Sequence, residues 1–174
     1  EEDEGVFGTT AEGLARLKPV RDGGTVTYGT QTYPADGNAG VVLCSRAGAE
    51  RLTKRTGVSV QVLSVGSARA KKGFMPMAVV PAGRHALEQA GVGIADCAAV
   101  KTHNPFAVND VYLCRELALD PEQVNRYGSS LVYGHPQAPT GLRAMIELIE
   151  ELVERGGGLG LFAGCAAGDS AMAV

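Results

Sequence analysis

The chain has 174 residues, of which 45% are hydrophobic, 20% charged and 5% aromatic, with 24 glycines, no tryptophan and a formal net charge of −3. That length suits one domain with a sizeable core and is too short for two, and the composition is that of a cytoplasmic α/β protein, not of a secreted, fibrous or disordered one. The 16 basic residues are scattered, so no positive face for nucleic acid is expected, and no apolar run reaches the roughly 18 residues of a membrane span.

In chain order, residues 1–24 carry an acidic start and then TTAEGLARLKPV, where Thr10, Gly13, Leu14 and Leu17 suit a short helix stopped by Pro19; a connector is expected here. Residues 25–45 read as a loop between two strands, TVTYGT and VVLCS. A short helix over Ala47–Arg55, ended by Gly57, precedes VSVQVLSVGSAR. In that stretch the pattern of Val58, Val60, Val62 and Val65 predicts a long strand. A helix from Met77 to Ala90 follows, with Pro81 tolerated near its first turn and Gly91 as the stop. CAAVKTHNPF then predicts a short buried strand, and Ala107–Leu117 another helix.

Pro139 opens the most regular helix of the chain. Leu142, Met145, Ile146, Ile149, Leu152 and Val153 fall on one apolar face, Glu147, Glu150, Glu151 and Glu154 are expected to face water, and Glu151 with Arg155 forms an i,i+4 pair. After GGG, the runs LGLFAGC and AMAV predict a hairpin around Ala167-Gly168-Asp169. Strands and helices alternate and a hairpin closes the chain, so a mixed sheet covered by helices is predicted. The chain starts without Met and stops inside a strand pattern, as a domain over 25–174 cut off at its last strand would.

Two residues invite a chemical reading. His135, between Gly134 and Pro136, precedes the long helix, and Cys165 follows it among small residues; together they suggest proton transfer on a small ligand. Taken singly, each has an ordinary structural reading, the histidine satisfied within a turn and the cysteine a small buried hydrophobe. Cys44, Cys97, Cys114 and Cys165 lack CxxC pairing, so reduced thiols and no metal site are expected.

The order of four segments resembles the C-terminal half of the thiolases, the acyl-CoA C-acyltransferases. DGGTVTYGT with DGNAGVVLCS is similar to the stretch entering that half. VKTHNPFA stands at the NEAF or HDCF motif, YGHPQAPTG at the GHP motif and GLFAGCAAGDSAMA at the CxG motif. The resemblance covers nearly the whole chain and implies an α/β fold of βαβαβαββ order. It also implies Claisen condensation of acyl-CoAs or thiolysis of 3-ketoacyl-CoA, with CoA thioesters as substrates and no other cofactor. The acyl-carrying cysteine is then expected on an N-terminal half absent from this sequence, within a cytoplasmic homo-oligomer, dimer or tetramer.

On the same resemblance, His135 is the residue that deprotonates the nucleophilic cysteine, and Cys165 the acid–base that removes the α-proton of the second acyl-CoA. His103 helps to hold the thioester oxygen. The backbone N–H of Ala167 lines a second oxyanion hole where glycine is usual, and Thr32 stands where a serine meets the pantetheine arm. Asn104 and Pro105 depart from both family patterns. The alternative is a non-catalytic thiolase-like subunit that binds acyl-CoA or scaffolds another chain. An apolar helix over Met77–Ala90 is expected to face the absent half.

Overall fold

The computed structural model describes residues 6–54 and 57–174. Its centre is a mixed sheet of four strands, β1 (Gly66–Arg69), β2 (Cys97–His103), β3 (Leu159–Ala166) and β4 (Ser170–Ala173), in the spatial order β1-β4-β3-β2. β2 and β3 are parallel, with His103 opposite Gly164, whereas β4 runs antiparallel to both β3 and β1. Among the described residues there are six α-helices, α1 (Ala11–Ala15), α2 (Arg46–Leu52), α3 (Val79–Ala90), α4 (Ala107–Leu117), α5 (Ser130–Tyr133) and α6 (Thr140–Glu154), of which α3 and α6 pack on the sheet. Between α4 and α6, where the βαβαβαββ order implied by the resemblance has a strand, the structure has one parallel bridge, Val100 to Val124.

Alternation along the strands splits the core in two. Leu161, Ala163 and Cys165 of β3 and Val100 of β2 join Val79, Val80, Ala82, Leu113 and Leu117 of α3 and α4 on one face. Phe162 and Ala99 meet Ala144 and Leu148 of α6 on the other. Small residues let the layers close: a Cβ added to Gly66 would lie 2.1 Å from the carbonyl oxygen of Ala82, so α3 rests directly on the β1 backbone. α3 ends as the sequence predicts, with Gly91 left-handed (φ 69°) and the N–H groups of Gly91 and Val92 bonded back to Glu88 and Leu87.

Four expectations are corrected. No strand forms over 25–45; Tyr28–Thr30 is a 3-10 turn capped by Thr27, and Val42 and Leu43 are 77% and 80% exposed. The valines at 58–65 form no strand, because β4 offers only four residues of ladder and these go to Gly66–Arg69. The inward stripe of α6 is Thr140, Ala144, Leu148 and Glu151, rotated from the predicted apolar face; Glu151 is buried and held by Arg155 at 2.8 Å, while Glu150 and Glu154 face water as expected. The cause is close packing on Gly160, whose added Cβ would meet Leu148 and Leu152 at 3.0 and 2.9 Å. Finally, α3 is not a partner-facing helix: its apolar side is consumed within the chain, and Arg84, His85, Glu88 and Gln89 point outward. α2 starts at Arg46, and the predicted end of that helix at Arg55 lies outside the described residues.

Candidate active site

β2 and β3 are parallel and carry His103 and Cys165 at their C-terminal ends, so both lie at the edge of the sheet where the connecting loops gather. His103 is the last residue of β2 and is buried. Its Nδ1 sits 3.0 Å from Ser130 Oγ, at the first residue of α5, and its ring centroid is 4.5 Å from that of His135 with the planes tilted by 38°. Burial, then the neighbouring His135, then Arg143, bring the His103 pKa down to about 4.

His135 is held from three sides. Gly134 before it has φ 80°, and an added Cβ there would meet Ala35 and Tyr33 at 2.6 and 2.9 Å, so the turn needs glycine. The His135 N–H donates to the Tyr33 carbonyl at 2.7 Å, fixing the turn against residues 33–34. Its Nδ1 meets Thr140 Oγ1 at 2.8 Å. Burial first and Arg143 second lower its pKa as well. Both imidazoles are therefore neutral at pH 7, each with one ring nitrogen committed to a hydroxyl.

Cys165 is buried in β3, one residue beyond the Gly164 that pairs with His103. The alternation of β3 turns its thiol away from the histidines, toward α4, where Asn109 Nδ2 donates to Sγ at 3.3 Å. The motifs predict that His103, His135 and Cys165 converge, with the His135 and Cys165 side chains close together; the structure brings the two histidines together but sets Cys165 on the opposite face of the same sheet edge, so that expectation is corrected and the placement counts against a shared catalytic group. Burial pushes its thiol up, and the Asn109 hydrogen bond counters this.

The remaining candidates stand at the margin. Ala167 is exposed in the turn after β3, and its φ is outside the left-handed region, the condition under which alanine can replace glycine there. The Thr32 hydroxyl donates to the carbonyl of Ser130, and the Thr32 N–H to that of Pro105 at 2.8 Å, so Thr32 ties the loop to the support of His103. Behind the HNPF turn lies a buried network that motif reading missed. Asp110 accepts from Thr102 Oγ1 at 2.6 Å, from Asn125 Nδ2 at 3.1 Å and from Asn104 Nδ2. Ser130, Thr140 and Asn109 were missed too; they lie 5 to 56 residues from the groups they bond, and only Thr140, a helix-opening residue after the GHP turn, carries a local signal. Among the described residues no group of three His, Cys, Asp or Glu could hold a metal, and all four cysteines are free.

Residues 56–174 match the family described as "Thiolase, C-terminal domain". The chain belongs to the thiolase family. It is 37% identical over 158 residues to peroxisomal 3-ketoacyl-CoA thiolase B of Mus musculus, covering 89% of this chain and 37% of that protein. It is 34% identical over 168 residues to an acetyl-CoA acetyltransferase of Pseudomonas aeruginosa, covering 96% and 42%. The crystal structure of the Bacillus anthracis acetyl-CoA acetyltransferase superposes with a TM-score of 0.89 at 33% identity, covering 99% of this chain and 44% of that one. The chain thus spans less than half the length of these thiolase relatives, and the match takes in β1 to β4 with HNPF, GHP and the CxG-like segment.

Proposed function

We propose that this chain supplies the proton-transfer half of a thiolase active site, acting on CoA thioesters without a further cofactor and completed by an N-terminal half that carries the acyl-bearing cysteine. The observation that carries this reading is the His103–His135 pair at the sheet edge, with His103 in register with the Gly164 that precedes Cys165, in a domain of this family. A neutral imidazole accepts the proton of a thiol, and His135, ordered by Thr140 and Tyr33, is the group assigned to that step. His103 donates to the thioester oxygen as enolate charge develops, with the Ala167 N–H serving a second oxyanion.

Cys165 is a thiol at rest, since burial raises its pKa. It gives its proton to the CoA thiolate expelled when the acyl group moves to the nucleophile. As a thiolate it then takes the α-proton of the second acyl-CoA, whose carbanion attacks the acyl carbonyl and releases the nucleophilic cysteine. The cysteine chemistry supports a cytoplasmic setting, and the thiolase reading supports a homo-oligomer; the relatives named above include peroxisomal proteins. A second reading, a non-catalytic acyl-CoA-binding subunit, is favoured by the turning of Cys165 away from the histidines.

Trapping with labelled acyl-CoA in the intact protein separates the two. Cys165→Ala is expected to accumulate the acyl adduct on the nucleophile while condensation falls by about 10²–10⁴. His135→Ala is expected to lose the adduct itself. A Cys165→Ala protein that condenses at the wild-type rate sinks the catalytic assignment.

A further inference from the structure

The contact between Asn109 and Cys165 is unusual for what it costs. Both residues are buried, Asn109 to 2% exposure, and the Asn109 carbonyl oxygen Oδ1 has no hydrogen-bond partner. Among the described residues the bond given for this side chain is that from Nδ2 to Sγ of Cys165 at 3.3 Å. An amide buried with half its capacity unmet is destabilising, so packing alone does not account for it; an apolar residue would fill the site more cheaply. What the amide adds is a donor aimed at sulfur. A neutral thiol sulfur accepts weakly, whereas a thiolate accepts strongly, and the difference widens where water is excluded.

We propose that Asn109 is a positioning residue for Cys165, whose side-chain N–H fixes the sulfur and favours its thiolate over its thiol. This rests on the assignment of Cys165 as the acid–base group and adds what that assignment needs. Burial on the α3–α4 face would otherwise hold the proton on sulfur throughout the cycle, and the amide supplies the counterweight without introducing a charge. The amide sits in the first turn of α4, six residues after His103, so the same β2–α4 connection that ends at the HNPF turn carries both groups.

The test is the pH profile of Cys165 alkylation by iodoacetamide in the intact protein, resolved by peptide mass spectrometry, for wild type, Asn109→Ala and Asn109→Leu. The two replacements differ in volume and share the loss of the amide, whose bond to Cys165 comes from its N–H and whose oxygen is unpartnered among the described residues, and thermal melting selects the folded ones. The proposal expects the alkylation midpoint to rise in either variant, with alkylation below it slowed roughly tenfold or more. A profile that overlays the wild type overturns it. So does a midpoint that falls, because that places the amide oxygen against the thiol. A raised midpoint in an enzyme whose Cys165→Ala variant still condenses keeps the role of Asn109 and removes the acid–base reading. An unmoved midpoint with a dead Cys165→Ala variant does the reverse.

Discussion

At the scale of single residues, His103 links stability to pH. Its folded pKa of about 4 lies below the ordinary 6.5, so between those values the unfolded chain takes up a proton that the native chain refuses. The sign follows: the contribution of neutral His103 is complete above 6.5 and is lost as pH falls toward 4. His135 is depressed too and adds in the same direction. Replacing His103 by asparagine, the residue more usual at this thiolase position, removes the titration and keeps a donor. Urea midpoints measured between about pH 7 and pH 4.5 are expected to fall less steeply for His103→Asn than for wild type. Parallel slopes would mean that His103 takes up its proton as readily in the native chain as in the unfolded one.

The catalytic candidates were legible because each is framed by a short motif: His103 by HNPF, His135 by GHP, Cys165 by a run of small residues. Their partners were not. Ser130 and Asn109 become neighbours of His103 and Cys165 only through the β2–β3 ladder and the packing of α4 and α5, which no local spacing records.

At the scale of elements, β2 is fastened to α6 by a fully buried lysine. Lys101 Nζ lies 2.8 Å from Glu147 Oε2 and donates to the Gly128 carbonyl at 2.9 Å, while Glu147 also meets Arg143 at 3.4 Å. The two ends of this bridge are not equivalent. Glu147 retains Arg143 and some solvent when Lys101 is removed, whereas Lys101 has no other counter-charge among the described ion pairs when Glu147 is neutralised. Breaking a buried pair so that one charge is stranded without a partner costs about 3–5 kcal/mol, and a partly exposed charge that keeps a second partner costs less. Glu147→Gln is therefore expected to lose about 3 kcal/mol or more in chemical denaturation, and Lys101→Met less than half of that. Equal losses would show that the bridge acts through packing alone.

Helix assignments survived at this scale because capping and period are local: Ala107–Leu117 and the Gly91 stop are as predicted. The strand assignment over 58–65 failed for the opposite reason, since alternation describes a side-chain pattern and a strand needs a partner backbone. Glu151 of α6 misled in a similar way. Glu151 and Arg155 do pair as predicted, but the helix is rotated by its seat on Gly160, and the carboxylate is carried inside.

At the scale of the whole molecule, the sheet is unfinished on one side. Among the described residues β1 is an edge strand paired with β4, and the chain entering it is apolar, with Val60, Val62, Leu63 and Val65 43–56% exposed. Val41, Val42 and Leu43 are also exposed. Open ladder groups beside exposed valines and leucines form a surface that binds another chain or aggregates. Among the described residues the exposed apolar side chains thus lie on the 58–65 segment and not on α3. This isolated chain is expected to bind the hydrophobic dye ANS and to rise in mass with concentration in light scattering. Val62→Glu with Leu63→Lys places charge on the segment, away from both core clusters, and is expected to lower dye binding and association while leaving the melting temperature within a few degrees. A wild-type chain that stays monomeric at about 100 μM and excludes the dye would show that the segment folds back onto the domain, and the docking surface would have to be sought elsewhere.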